Sequence, residues 1–532
     1  MAAQVRKSDP KAPWDLVVVG AGITGAGIAR DAAMRGLRVL VLEANDIAFG
    51  TSSRSSRLIH GGVRYLEQGQ LGLVYEALRE RHRLKQIAPH LVAPAQFLFP
   101  AYRGDRLPLW KLRIGLSLYD ALSLYTSSGH QTLGPDACRA REPLLAGEGL
   151  SGAVAYEDAV TDDARLTLTT LQSARRYGAE VLTYAPVARL GRGQGDCAEL
   201  QVAELRDGTS VYARQIIVAA GPWTSERLLG VAGRRLLALS RGIHVVMRAS
   251  DVPIRQPLVI QVPKEKRILF VIPWGTRTYL GTTDTAYEGD PGDSSVTAED
   301  RTQLYRLIGR LLPTVDLSDK RLVSSWSGVR PLVRSVRSQR SDGGGSTVEL
   351  SRKHRVVATE EGLLAMVGGK LTTYRAMAQE AVDQVMRRLG QKRGRCQTHR
   401  YPLVDGRALT QDELEEPLLA DLFARHGPEA RTLAELVKAN PGEGERLIDD
   451  LPYRWVEVTR AISHEGCMCI RDILRRRLPL ALTDARQGAG IARAVATRLI
   501  DARGGSGSDI EQEIASYRDA LHRETGQEPP EM

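Results

Sequence analysis

Short apolar runs alternate with an amphipathic stretch at the start of the chain. Residues 16–19 and 38–42 have the composition of buried strands, and residues 24–35 have a helical periodicity that ends at Gly36. This order predicts a βαβ unit. Strand-like runs recur at residues 214–219, 243–247 and 267–272. Together these patterns predict a fold of the α/β class.

The pattern changes after Lys370. Residues 371–389 have helical periodicity, residues 390–409 are a polar connector, and residues 413–522 are helix-like with charged faces. We therefore predict a separate helical domain in the C-terminal part. The predicted exposed loops are the glycine-rich segments 341–347 and 504–508.

Composition narrows the class of protein. The chain has 532 residues, of which 42% are hydrophobic and 26% are charged, which is typical of a soluble globular protein and excludes disorder along the whole chain. At one domain per ~150 residues, about three units are expected. The net charge of +10 suits phosphorylated substrates, anionic membranes or nucleic acid, and it does not choose among them.

The expected compartment is the cytoplasm. No uncharged apolar run reaches the ~18 residues that span a bilayer, and the charged N-terminal segment contains no apolar stretch of a secretory signal. Five scattered cysteines do not form a disulfide framework, which indicates a reducing environment. Cys467 and Cys469 have no second pair at zinc-site spacing, so no metal site is expected.

The strongest local motif lies between the first strand and the first helix. Gly20, Gly22 and Gly25 form the G-x-G-x-x-G pattern, and Glu43 ends the next strand. Such glycines allow a pyrophosphate to approach the helix N-terminus, while the acid accepts from ribose hydroxyls. A turn used only for packing is the alternative. Since NAD and FAD share the ADP half, the motif leaves both open.

Three further segments are candidates for the cofactor site. Residues 49–65 are rich in hydroxyls, glycines and guanidinium groups, a strand runs into a small-residue turn at 216–223, and a glycine pair joins a strand to a helix at 367–374. A polar surface loop, an ordinary strand end and simple helix capping are the respective alternatives. The candidate cofactor residues in these segments are Thr51, Ser52, Ser53, Gly61, Gly62, Ala220, Gly221, Gly368, Gly369, Lys370, Leu371 and Thr372.

Two isolated residues have chemistry that suits a substrate. Arg330 lies beside Pro331, so its guanidinium is a candidate for phosphate or carboxylate binding, with a structural ion pair as the alternative. His244 lies in an apolar strand-like run, where a histidine is more often a core residue than a base.

The chain resembles the FAD-dependent glycerol-3-phosphate dehydrogenase family through an ordered set of segments. These are VVVGAGITGAGIARDAAMRGL, TSSRSSRLIHGGVRYLE, DDARL, AAGPW, GTTDT, SWSGVRPL and VGGKLTTYR. The resemblance is dense from Trp14 to Arg375 and looser beyond, where it includes residues 472–477.

The resemblance implies a glutathione-reductase-like FAD-binding domain, an antiparallel-sheet substrate domain and a helical C-terminal domain. The first two are expected to interleave within residues 14–390. The FAD segments would be about 14–100, 155–235 and 330–390, and the substrate segments about 101–154 and 236–329. Residues 391–532 would form the helical cap.

The implied activity is oxidation of sn-glycerol 3-phosphate to dihydroxyacetone phosphate, with hydride passing to flavin N5 and electrons to membrane quinone. In the family, residues matching Arg64, Tyr65, His244, Arg330 and Lys370 face the substrate. Alcohol oxidation needs a neutral base, for which His244 is the candidate. Arg330 and Arg64 can bind phosphate, with Lys370 near the phosphate or the reacting oxygen. Covalent attachment of flavin at His60 is an alternative, but the family generally holds FAD noncovalently.

Several alternatives stay open at this point. A soluble glycerol-3-phosphate oxidase would use oxygen and release hydrogen peroxide. More distant are an amine or amino-acid oxidase and a non-catalytic FAD-binding protein; a nucleic-acid-associated flavoprotein has no supporting motif. The basic and apolar residues between Arg103 and Tyr125 suit peripheral contact with the inner face of the cell membrane, or equally an ordinary amphipathic helix. Homodimerisation is also left open.

Overall fold

The computed structural model describes residues 9–124, 126–224, 226–229, 236–263, 265–334, 353–359, 361–391, 394–525 and 531–532. The predicted glycine-rich loop at residues 341–347 lies outside these ranges. The second glycine-rich segment, 504–508, is exposed as predicted.

Strands of the described residues form two large sheets. In chain order the strands are β1 (Trp14–Val19), β2 (Val39–Leu42), β3 (Leu58–Ile59), β4 (Val92–Tyr102), β5 (Gln131–Leu133), β6 (Leu150–Thr161), β7 (Glu180–Leu182), β8 (Val187–Arg192), β9 (Gln201–Leu205), β10 (Ser210–Val218), β11 (Leu237–Arg248), β12 (Leu258–Gln261), β13 (Ile268–Trp274), β14 (Arg277–Gly281), β15 (Thr285–Tyr287), β16 (Leu322–Val333), β17 (Arg355–Ala358) and β18 (Leu364–Val367).

Helices surround the sheets and build the C-terminal part. In chain order the α-helices are α1 (Ile23–Met34), α2 (Leu71–Ile87), α3 (Leu109–Leu122), α4 (Pro135–Arg141), α5 (Asp163–Arg176), α6 (Glu226–Leu229), α7 (Ala298–Gly309), α8 (Tyr374–Arg388), α9 (Gln411–Glu415), α10 (Pro417–His426), α11 (Ala430–Ala439), α12 (Trp455–His464), α13 (Leu480–Thr483), α14 (Ala489–Asp501) and α15 (Gly507–Thr525). A π-helix spans Asp472–Arg477.

The first sheet contains the predicted βαβ unit. Its order is β17-β18-β10-β1-β2-β7, with β9 beside β10 and β8 beside β9, and the strands from β18 to β7 run parallel. Both faces of β1 are covered, which is why residues 16–19 form a continuous apolar run. Helices α1, α5 and α8 pack on one face through residues such as Ile28, Leu168 and Val382.

The second sheet has the order β15-β11-β14-β13-β12-β4-β6-β3, with β16 beside β11 and β5 beside β6. Its pairs are antiparallel, as the resemblance implies, except that β12 pairs with β4 in parallel. Because side chains alternate between the two faces of a strand, successive residues of β11 pack into different hydrophobic cores. Val245 packs with residues of α7, and Val246 packs with residues of α2 and α3.

The expected domain boundaries at residues 100 and 154 fall inside β4 and β6, both strands of the second sheet. Residue numbers for the interleaved domains therefore remain a prediction. The C-terminal helices share a core that includes Leu474, Val495 and Tyr517. In the parts of the chain that the structure covers, no helix is both long and apolar enough to cross a bilayer.

Candidate functional site

A cavity of about 810 Å³ lies between the two sheets. The C-terminal ends of β1, β10 and β18 open into it, and residues of β11 and β16 form part of its wall. Ligands of open parallel sheets bind at the C-terminal ends of the strands, and this volume is in the range of small-molecule and cofactor sites.

The glycine motif forms a cradle at one end of the cavity. Gly20 has a φ of +110°, and an added Cβ would lie 2.7 Å from the Ala219 carbonyl oxygen. At Gly25 an added Cβ would lie 1.9 Å from the Gly20 oxygen, so this glycine serves strand–helix packing. Gly22 lines the cavity as the N-cap of α1, a helix whose first turn holds no acid, and the Ile23 N–H at this end donates to Ser52 Oγ at 2.9 Å. That N-terminus can accept a phosphate.

Glu43 lies where the motif requires an acid. Its carboxylate accepts hydrogen bonds from the Ala21 and Asn45 backbone N–H groups at 2.7 and 2.9 Å. Burial raises the pKa of Glu43, which those two backbone bonds oppose. Its side chain lines the cavity, where it can accept from ribose hydroxyls. The cradle, the N-terminus of α1 and this acid together fit a dinucleotide.

The other predicted cofactor residues divide into two groups. Ser53, Gly61 and Gly25 do not line the cavity: Gly61 N–H donates to Tyr119 Oη at 2.9 Å, and Ser53 is buried. The predicted residues that the structure brings together on the cavity wall are Gly20, Gly22, Glu43, Thr51, Ser52, Gly62, Ala220, Gly221, Gly368, Gly369, Lys370, Leu371 and Thr372.

His244 lies on β11 with 2% of its surface exposed. Its Nε2 is 2.9 Å from Ser56 Oγ, its ring stacks on Trp326 at 4.5 Å between centroids, and its Nδ1 has no hydrogen-bond partner among the described residues. Burial, and then the charges of Arg330 and Arg57, lower the pKa of His244 well below its ordinary value. The imidazole is therefore neutral at pH 7 and able to accept a proton.

Arg330 lies on the same face of the second sheet as His244. It pairs across the strands with Ser240, while His244 pairs with Trp326, and side chains four residues apart on a strand share a face. The guanidinium of Arg330 donates to Thr282 Oγ1 at 2.7 Å and to the Thr283 carbonyl oxygen at 3.2 Å. The guanidinium also lies 3.8 Å from Asp284 Oδ1, and Arg330 lines the cavity, where a guanidinium can bind an anion.

The cavity wall also contains Arg64, Tyr65 and Lys370. Lys370 Nζ lies 3.7 Å from the centroid of the Tyr65 ring, and the Arg64 guanidinium lies 5.5 Å from it. Lys370 precedes the 3-10 turn Leu371–Thr373, whose Thr372 Oγ1 accepts from the His60 N–H at 3.1 Å. All five residues predicted to face a substrate thus line one cavity.

Several residues that line this cavity or support its residues were not predicted from the sequence. Ser56, Arg54 and Arg267 line the cavity, and Trp326 supports His244. Asp284 accepts from Ser240 Oγ and lies 3.8 Å from Arg330. The family resemblance could have indicated four of them, because its segments include Arg54, Ser56, Asp284 and Trp326.

One arm of the cavity is apolar. Phe99, Tyr156, Val259, Ile268 and Phe270 line it. These residues belong to, or pack against, the same core cluster as the buried side of α3. Tyr156 provides a direct contact between this arm and α3, since its ring packs against that of Tyr119 with 5.9 Å between the centroids.

The chain is similar to known flavoproteins over nearly its whole length. Residues 15–375 match the family described as FAD dependent oxidoreductase (DAO), and residues 396–507 match the C-terminal domain of alpha-glycerophosphate oxidase. An aerobic glycerol-3-phosphate dehydrogenase of Staphylococcus epidermidis is 34% identical over 496 residues, covering 89% of this chain and 88% of the relative. A related protein of Staphylococcus aureus with the same name is 37% identical over 72% of this chain and 69% of its own.

Solved structures agree with these matches. The glycerol-3-phosphate dehydrogenase from Bacillus halodurans, complexed with FAD, superimposes with a TM-score of 0.76 at 26% identity and covers 97% of this chain and 96% of its own. The match extends across both sheets and the C-terminal helices, so the three-part architecture implied by the sequence is confirmed.

Proposed function

Because the chain belongs to the FAD-dependent glycerol-3-phosphate dehydrogenase family, we propose that it oxidises sn-glycerol 3-phosphate to dihydroxyacetone phosphate. One observation supports this proposal most strongly. The neutral His244 and the Arg330 guanidinium lie on the same face of the second sheet, and both line the cavity that contains the glycine cradle. Alcohol oxidation needs a proton acceptor, and a phosphorylated substrate needs a fixed cation.

The residues of the cavity divide the work of this reaction. Bound FAD supplies a hydride acceptor. His244 receives the hydroxyl proton, since departure of hydride from the same carbon makes that proton acidic. Arg330 binds the substrate phosphate, with Arg64 and Lys370 as further cations. Because the Arg330 charge lowers the pKa of His244, neutralising it with phosphate makes His244 a stronger base when substrate is bound.

Replacing His244 tests this assignment. His244→Asn keeps a polar side chain near Ser56 but cannot accept the proton. We expect FAD to stay bound while anaerobic flavin reduction by glycerol 3-phosphate slows by roughly 10²–10⁴, followed by rapid-mixing absorbance. A near-normal rate of flavin reduction in this variant would mean that His244 has only a structural role.

We further propose that the enzyme works at the inner face of the cell membrane and passes its electrons to quinone. The support is the outward side of α3, where Trp110 and Ile114 are 59% and 63% exposed, while Leu112 and Leu116 are buried. Lys111 and Arg113 flank this apolar stripe. Such a helix suits the interface of an anionic bilayer, and Tyr119 on its buried side packs against Tyr156 of the apolar arm of the cavity.

Sedimentation with anionic liposomes tests the membrane contact. We expect binding that weakens with salt, because surface attraction is screened, and that falls strongly in Trp110→Ser/Ile114→Ser. The matched control is Leu436→Ser, an exposed apolar residue on α11. Absence of binding at low salt, together with fast peroxide formation in air, would instead favour the soluble oxidase. Homodimerisation remains a prediction.

A further inference from the structure

Two successive segments form the dinucleotide side of the cavity wall. The first segment is residues 43–45, which follow β2, and the second is residues 49–52 with Arg54, three residues further along the chain. Asp46 and Ser53 belong to the same stretch but do not line the cavity. Both residues are bound by arginines of the C-terminal domain.

Asp46 is the first of these anchor points. Its carboxylate is fully buried and accepts two hydrogen bonds from the Arg477 guanidinium, at 2.7 and 2.8 Å, and a third from Arg476 Nε. Burial alone would raise the pKa of Asp46, but the two arginines hold it below its ordinary value. The Asp46 carbonyl oxygen accepts from the Phe49 N–H at 3.1 Å, which links this ion pair to the start of the second segment.

Ser53 and Arg54 are the second anchor point. Arg475 of the same π-helix donates to the Ser53 carbonyl oxygen at 3.4 Å and, through Nε, to Glu524 of α15 at 2.8 Å. Glu524 also lies 3.8 Å from Arg54 Nη2. Burial lowers the pKa of Arg54 to about 10, against the attraction of Glu524. One short helix therefore reaches both segments of the wall.

We propose that Arg476 and Arg477 are positioning residues that set the affinity for FAD from the C-terminal domain, by fixing Asp46 and with it the two wall segments. Neither arginine lines the cavity. Without its guanidinium partners, the buried carboxylate of Asp46 would be strongly destabilised. The segment that contains Asp46 would therefore move so that the carboxylate reaches water. That movement would displace Glu43 and Phe49, which do line the cavity.

The test is FAD affinity measured without reference to turnover. Apo-protein is titrated with FAD by fluorescence, and the melting temperature of each apo-protein is recorded. For Arg477→Met we expect the Kd of FAD to rise at least about tenfold. The matched control is Arg425→Met, which breaks a buried pair with Glu457, at 2.6 and 2.9 Å, inside the C-terminal domain. It should lower the melting temperature but change the Kd by less than about twofold.

A second comparison isolates the contact. Asp46→Asn should raise the Kd of FAD at least as much as Arg477→Met, because it removes the contacts with both Arg476 and Arg477. The double variant should raise the Kd by less than the product of the two single fold-changes, because both changes remove the contact between Asp46 and Arg477. If Arg477→Met does not fold, Arg477→Lys, which keeps the charge without the two-bond contact, should still raise the Kd at least about threefold. A Kd within about twofold of the parent in whichever of these Arg477 variants folds would overturn the proposal and leave the network only a stabilising role.

Discussion

Phosphate recognition by Arg330 gives the sharpest quantitative prediction. Arg330→Ala removes a guanidinium that donates to Thr282 Oγ1 and to the Thr283 carbonyl oxygen, two neutral acceptors. The guanidinium also lies 3.8 Å from Asp284 Oδ1. We expect the main loss in this variant to be the proposed contact with the substrate phosphate.

The size of that loss follows from the setting of the side chain. Removing one partner of a buried, hydrogen-bonded charge pair costs about 2–5 kcal/mol. Arg330 keeps 24% of its side-chain surface exposed, and Arg64 and Lys370 supply further positive charge to the cavity, so we take the lower part of this range. A loss of about 2–3 kcal/mol is roughly a 30- to 200-fold fall in kcat/KM for glycerol 3-phosphate.

The assay compares two substrates in two variants. For Arg330→Ala we expect kcat/KM to fall for glycerol 3-phosphate but hardly for glycerol, which has no phosphate. The matched control is Arg241→Ala, on the neighbouring strand, whose guanidinium pairs with Asp300 at 2.8 Å and does not line the cavity. Equal losses on both substrates, or loss of FAD from Arg330→Ala, would refute the reasoning.

Two further predictions concern the cofactor and the pH dependence. Gly22→Val should abolish stoichiometric FAD binding, measured by absorbance, because a branched side chain fills the cradle; Gly72→Val, where an added Cβ meets nothing within 4 Å, should bind FAD normally. Because the pKa of His244 lies well below its ordinary value, the base stays neutral as pH falls from about 8 to 6.5, so flavin reduction should be flat in this window. If the rate of flavin reduction falls only at more acidic pH, and still does so in His244→Asn, the titrating group is the substrate phosphate, which titrates near pH 6. A fall in this rate between about pH 8 and 6.5 that is absent from His244→Asn would contradict the lowered pKa of His244.

Local patterns in the sequence predicted the framework well. The βαβ unit at residues 14–42 is confirmed, since a buried strand, a helix with a following glycine and a second buried strand each leave a local signature. The helical C-terminal part was also visible in periodicity. Domain limits were less accessible because β4 and β6 carry one sheet across the expected boundaries at residues 100 and 154.

The surroundings of the candidate site were harder to predict. The family resemblance suggested His244 as a base, but its neighbours Trp326 and Ser56 lie far away in the sequence and could not be predicted. Likewise, Asp46 meets Arg477 across more than four hundred residues. Such pairs arise from tertiary packing, which neither periodicity nor spacing encodes. Family resemblance supplied the convergence of Arg64, Lys370 and Arg330 that local patterns did not.

The most direct test of the proposed activity is anaerobic absorbance of the bound flavin. The purified protein is mixed in turn with glycerol 3-phosphate, glycerol, lactate and a panel of amino acids. We expect rapid bleaching with glycerol 3-phosphate and little with the others, because only that substrate offers both an oxidisable hydroxyl to His244 and a phosphate to Arg330. Bleaching by an amino acid, or no bleaching by glycerol 3-phosphate, would contradict the account.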